Sequence, residues 1–222
     1  MTFDMNIRKL HNSMKREFIQ QYIPSGSHVL DVGCGCGGDI FKWPQGTIVT
    51  ACDPDVKSIK TALTRAKSIP DTQRPKFFIG DISASPERIY DFICYNFSLQ
   101  YIFASESLFR KTLGCIEKRS TKGTILMGVV PDSEELMTRN LPEYFTKDGP
   151  FTGDFGDSIS FCVPGAPYYK DGPVPEPVCY REILIMELEK IGFTLCTWEP
   201  FVSFHTGTYS DVYSKFVFEC NR

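Results

Sequence analysis

Long apolar runs are missing from this 222-residue chain. The nearest, Thr124 to Val130, falls far short of the roughly 20 residues a membrane helix needs, and the N-terminus has no apolar signal-peptide core. These absences exclude a helical membrane span and argue against secretion. A large excess of either charge is missing as well: 24 Lys and Arg stand against 27 Asp and Glu, a formal net charge of -3. A protein that grips long nucleic acid through its phosphates carries a broad basic footprint, so any RNA partner here has to be held locally. Histidine is scarce, with three residues, and the nine cysteines are an odd count without the paired spacing of a zinc site. Cys34-x-Cys36 is not a CxxC motif and has no histidine cluster beside it, so no metal is expected and the thiols read as small core hydrophobes in a reducing compartment. Internal repeats and low-complexity tracts are also lacking.

What is present is enough apolar material for one substantial core, 42% hydrophobic and 14% aromatic, which predicts a single domain over residues 1–222, expected to be monomeric. Ile7, Leu10, Met14 and Phe18 recur at helical spacing up to Tyr22, where Pro24, Ser25 and Gly26 interrupt. An alternation follows. Strands are expected over His28–Val32, Thr47–Cys52, Lys76–Gly80, Asp91–Tyr95 and Thr124–Val130, and helices over Val56–Ser68 and Ser105–Glu117, with a short helix opened by Asp39–Trp43 and stopped by Pro44. That order predicts an open, mostly parallel α/β sheet of Rossmann-like type with helices on both faces. Ligands bind such sheets outside the carboxyl ends of the strands. Residues 1–23 are expected to border the site, 24–131 to form the binding core, 132–178, rich in Gly, Pro and aromatics, to be a lid over the crevice, and 179–222 to complete the sheet with a helix over about Cys179–Ile191 and two strands.

The stretch Asp31-Val-Gly33-Cys-Gly35-Cys-Gly-Gly38 satisfies GxGxxG between a strand and a helix, with Asp53 twenty residues beyond Gly33. Glycines let a ligand approach the backbone, and an acid at the end of the second strand can accept from ribose hydroxyls. Nicotinamide and adenosylmethionine cofactors both use this geometry. The acid before the first glycine favours the second, because Asp31 suits a cationic ligand and would repel a pyrophosphate.

D-x-G-x-G-x-G resembles the first motif of class I S-adenosylmethionine-dependent methyltransferases, and the resemblance narrows further to the mRNA cap (guanine-N7) methyltransferases. Ile7-Arg-Lys-Leu-His-Asn12-Ser13-Met-Lys15 resembles the signature that precedes the core in that family. Asn96-Phe97-Ser98-Leu99-Gln100-Tyr101-Ile-Phe103 resembles its QF-x-x-HY-x-F block, Val174-Pro-Glu176 with Gly192 resembles its V-P-E…G segment, Asp154 to Ser158 its FGN-S element, and Tyr213 before Phe218-Glu219 a family tyrosine. The similarity spans nearly the whole chain. It implies that Lys15, Asp31, Gly33, Gly35, Asp53, Asp81, Ile82, Asn96 and Tyr101 hold S-adenosylmethionine, the product being S-adenosylhomocysteine, with Asp81 reading the adenine amino group.

For the cap it implies Asn12, Ser13, Phe97, Gln100, Glu176 and Tyr213; apart from the resemblance, Tyr168 is a further candidate stacking ring, and the cations Lys42 and Arg65 are candidates to meet the phosphates. Glu176, Gln100 and Tyr213 are the residues expected to position guanine and stabilise the transition state. Three departures stand out: Gln100 replaces the family histidine, Asn96 its glutamine, and Cys36 the lysine between the loop glycines. The implied partner is the capped 5′ end of mRNA, with triphosphatase and guanylyltransferase domains expected in the same polypeptide if this is a viral-type capping enzyme. Localisation would then be the host cytoplasm, or the nucleus for a cellular enzyme. Two alternatives stay open on the sequence: a class I methyltransferase for a small molecule or protein, and a catalytically silent RNA- or partner-binding module.

Overall fold

The computed structural model describes residues 3–162 and 172–222. Helix α1 (Phe3–Tyr22) packs along the core through Ile7, Phe18 and Ile19. The parallel strands β1 (His28–Val32), β2 (Ile48–Asp53), β3 (Lys76–Ile79), β4 (Phe92–Asn96) and β5 (Ile125–Pro131) alternate with α2 (Val56–Ala66) and α3 (Glu106–Lys118). Both helices start on caps visible in the sequence: Asp55 accepts from the Lys57 and Ser58 N–H groups, and Ser105 from that of Leu108. Strands β9 (Phe193–Pro200) and β10 (Tyr213–Cys220) complete a seven-stranded sheet in the order β3-β2-β1-β4-β5-β10-β9, with β10 antiparallel to both neighbours. The order reverses between β1 and β4, so the crevice opens above those two strands.

The doubly wound sheet was legible from strand and helix spacing, to within one or two residues at most ends. One expectation needs correction. Asp39–Trp43 forms hydrogen-bonded turns with no helix. Five residues cut off by Pro44 cannot recover the cost of helix nucleation, and the residue before a proline disfavours the helical region. The segment between β5 and the last helix has regular structure of its own. It carries α4 (Ser133–Thr138), capped by Asp132, and a three-stranded antiparallel sheet, β6 (Phe145–Lys147), β7 (Ser158–Phe161) and β8 (Val174–Pro177), before α5 (Arg181–Lys190). Ile159 and Phe161 on β7 are fully buried, so this small sheet shares the main core.

Candidate active site

The glycine loop is fixed by backbone geometry before any ligand is considered. Gly33, Gly35 and Gly37 all have positive φ, at 75°, 52° and 72°. At Gly33 the constraint is double, since a Cβ would stand 2.3 Å from the Ser98 Cβ, while Ser98 Oγ donates to the Val32 carbonyl at 2.6 Å. The end of β4 is thereby pressed against the end of β1. Asp53 accepts from the Gly35 N–H at 2.8 Å and, through its other oxygen, from the Asp55 N–H at 2.8 Å, so it braces the loop.

Beyond the loop lies a buried charge cluster. Lys15 Nζ and Lys42 Nζ both approach Asp39 Oδ1 at 2.7 Å, and Asn96 Nδ2 donates to Asp39 Oδ2 at 3.1 Å. Burial alone would raise the Asp39 carboxyl, but the two ammonium groups outweigh it and hold the group below the usual carboxylate range. Asp31 goes the other way. It is fully enclosed, and burial followed by repulsion from Asp39 raises it well above its ordinary value. A cationic ligand entering here would drive Asp31 toward its charged form.

A second polar group sits where β8 of the small sheet meets the helical turn 99–104 after β4. Gln100 Nε2 donates to Glu176 Oε2 at 2.9 Å and to the Phe97 carbonyl at 3.2 Å. Glu176 is 7% exposed; burial lifts its carboxyl to about 7, against the pull of hydrogen bonds from Gln100 and Tyr101. Next to it an aromatic cluster closes the site. Phe97 has φ of 63°, an uncommon conformation for a bulky residue, and its ring stacks on His11 at 5.5 Å and meets Tyr213 edge-on at 4.9 Å. His11 also lies edge-on to Phe201 and Tyr209 and hydrogen-bonds Ser210 Oγ through Nε2 at 2.8 Å. Burial, and then the nearby Lys15, lower its imidazole to about 4, so it is neutral near pH 7.

The family model for the mRNA (guanine-N(7))-methyltransferase domain matches residues 4–161. The chain belongs to this family. Among curated relatives it resembles the mRNA cap guanine-N(7) methyltransferase of Schizosaccharomyces pombe, 28% identical over 147 residues, which is 60% of this chain and 41% of that protein. The enzyme of the same name from Cryptococcus neoformans is 29% identical over 216 residues, 90% of this chain and 34% of its own length. The chain thus spans about two fifths or less of these relatives. Solved structures agree on the fold: the PH0226 protein from Pyrococcus horikoshii OT3 superposes with a TM-score of 0.72 at 16% identity, covering 96% of this chain and 91% of its own. A glycopeptide N-methyltransferase complexed with S-adenosylmethionine superposes with a TM-score of 0.66 at 17% identity, covering 95% and 94%.

Within this family member the expected residues fall into three groups. Lys15, Asp31, Gly33, Gly35, Asp53 and Asn96 do converge around the glycine loop. Asp81 follows the end of β3, accepting from Ser83 and pairing with Lys111 Nζ at 2.7 Å, which with Ser83 keeps it ionised against the burial that would raise it. Phe97, Gln100, Tyr101, Glu176 and Tyr213 form the second group, at the β4 and β8 side. The Ile82 side chain is packed into the core, and Asn12 and Ser13 lie on the exposed face of α1, where Ser13 donates to Glu17 at 3.2 Å. Tyr168 lies outside the described residues.

One phosphate assignment, Lys42, fails. Lys42 is 4% exposed, with its ammonium committed to Asp39 and the Gly38 carbonyl, so it has no reach to a phosphate. Arg65 is exposed on α2 but donates to the Cys36 carbonyl at 2.9 Å, where it braces the glycine loop from outside. Sequence reasoning missed Asp39 and the His11 cage. The signal for Asp39 was a carboxylate directly after the last loop glycine and three residues before a lysine; His11 sat inside a quoted motif without a role. Among the described residues no cluster of His, Cys, Asp or Glu is arranged to hold a metal, and no helix is long and apolar enough to cross a membrane.

Proposed function

We propose that this domain transfers a methyl group from S-adenosylmethionine to nitrogen 7 of the guanine that caps mRNA. The chemistry of the donor set supports this cofactor. Carboxylates lie at or just past the ends of β1, β2 and β3, at Asp31, Asp53 and Asp81, and the Lys15 ammonium, paired with Asp39, lies near enough to Asp31 to act on its carboxyl. That combination suits a ligand with a carboxylate, an ammonium, ribose hydroxyls and an adenine amino group. It would repel the pyrophosphate of a nicotinamide dinucleotide, which is the reason to set that alternative aside.

When bound, S-adenosylmethionine supplies an activated methyl carbon on a sulfonium. The chain's own work is then positional. Guanine nitrogen 7 carries an in-plane lone pair and no proton, so no general base is needed, and rate comes from alignment, which recovers roughly 7 to 11 kcal/mol of a barrier in well-oriented systems. Glu176, buried beside Gln100 and Tyr101, is the group to accept from the guanine ring N–H and amino group; the ring becomes cationic on methylation, so a carboxylate there favours the transition state over the substrate. Phe97 and Tyr213 shape the pocket wall.

The single observation carrying the cap reading is the buried Gln100–Glu176 pair, an otherwise costly arrangement at the end of the strand that borders the cofactor loop. A methyltransferase for a small molecule or protein would need Asp31, Gly33, Asp53 and Asp81, but would give Glu176 no task. The test is to incubate the chain with labelled S-adenosylmethionine and either GpppG-capped RNA or uncapped triphosphate RNA, then digest. Label in 7-methylguanosine from capped RNA alone is the expected result. Cofactor binding with no transfer to any cap refutes the substrate and leaves the fold.

A further inference from the structure

Gln100 presents an unfinished hydrogen-bond account. It is 1% exposed, and its amide orientation is set by two acceptors on the nitrogen, the Glu176 carboxylate and the Phe97 carbonyl. The oxygen therefore cannot trade places with the nitrogen without facing one oxygen against two others. Yet Oε1 is buried and has no hydrogen-bond partner among the described residues. Leaving such an acceptor unpaired carries a real cost, so its retention beside Glu176 points to a donor that arrives with a ligand.

The donor's chemistry can be narrowed. Two acceptors are linked through one amide nitrogen: Gln100 Oε1, which has no partner among the described residues, and the Glu176 carboxylate, which accepts from Gln100 and Tyr101 and keeps further lone pairs. A ligand edge that satisfies both must present several N–H donors side by side and no carbonyl. On guanine, the edge with N1–H and the 2-amino group does this, whereas the O6 edge needs a donor that Gln100 has already spent on Glu176 and Phe97. We propose that Gln100 Oε1 accepts from the guanine 2-amino group, making Gln100 a specificity residue that reads the exocyclic amine in partnership with Glu176. This rests on the cap reading given above and deepens it, assigning Gln100 to the amine and excluding it from O6.

Inosine in place of the cap guanosine removes only the 2-amino group, so the experiment compares methylation of GpppA with IpppA. For the unaltered chain, two acceptors lose their partner with IpppA, and kcat/KM should fall on the order of 100-fold, about tenfold for each. Gln100→Met removes both the donor to Glu176 and the reading oxygen. Gln100→His keeps an N–H for Glu176 while deleting the amide oxygen, and so separates reading from mere support of the carboxylate. In both variants the GpppA to IpppA ratio should drop to roughly tenfold. Affinity for S-adenosylmethionine, followed by calorimetry, should not move.

A ratio in Gln100→His equal to that of the unaltered chain overturns the proposal and leaves Gln100 as a support for Glu176. A ratio of tenfold or less in the unaltered chain overturns it equally. If Gln100→Met fails to fold, the histidine variant decides alone. Failure of the cap reading looks different: GpppA is then neither methylated nor bound by the cofactor-loaded chain, and the proposal falls with it.

Discussion

Replacing Asp39 by Asn tests how the buried charge cluster is held together. The Asp39 side chain is 8% exposed and faces the ammonium groups of Lys15 and Lys42, 14% and 4% exposed, at 2.7 Å each. Asparagine has nearly the same shape, and its oxygen can still accept from both lysines, which share Oδ1, but it carries no charge, and its NH₂ group takes the place of Oδ2 and faces the Asn96 amide nitrogen donor to donor. Both lysines lose the counter-charge they share. Breaking a buried pair in this way costs about 3–5 kcal/mol. In a domain of this size that lowers the melting temperature by roughly 6–20 °C and reduces the urea midpoint without altering the slope m.

Lys42→Met provides the contrast, because it leaves a balanced Lys15–Asp39 pair and should cost less than about 2 kcal/mol. Adding Lys42→Met to Asp39→Asn should cost less than the sum of the two, since only the Lys15 cation is then left uncompensated. If Asp39→Asn loses under about 1 kcal/mol, or Lys42→Met costs more than Asp39→Asn, the cluster is not organised around Asp39 as described.

Glu176 predicts a pH dependence of opposite sign to the usual carboxylate. Its folded-state carboxyl lies near about 7 against 4.5 when exposed, so the folded chain keeps a proton that the unfolded chain releases, and stability falls by up to roughly 3 kcal/mol as pH rises through that window. Urea midpoints at pH 5 and pH 8 should therefore diverge between the unaltered chain and Glu176→Gln; parallel values would show that Glu176 is not buried as an acid. His11 acts on the acid side, since an imidazole lowered to about 4 from 6.5 adds stability that is lost as pH falls below 6.5. His11→Phe, which preserves the stacking on Phe97, should flatten that limb, and an unchanged acid limb would count against it. Gly33→Ala combines a φ of 75° with a Cβ 2.3 Å from that of Ser98, and should cost more than about 3 kcal/mol in thermal melts, with Ser98→Gly restoring only the part due to the clash.

The sequence by itself determined the sheet and most of the glycine loop after β1. Periodicity and capping are local, so the strands at His28–Val32 and Phe92–Asn96, the caps at Asp55 and Ser105, and the glycines after β1 were readable from a few neighbouring residues at a time. The family motifs located Lys15, Asp31, Phe97 and Glu176, yet they could not say how those side chains are used. Lys42, an expected phosphate ligand, is consumed inside the protein, and Asp39, without any expected role, organises the cluster. Tertiary structure alone decided these matters, because a buried polar group must find its partner wherever folding brings one. Asn96 finds Asp39 across 57 residues, Gln100 finds Glu176 across 76, and His11 finds Ser210 across 199. No local pattern encodes those choices; they follow from which strand ends the sheet order sets side by side.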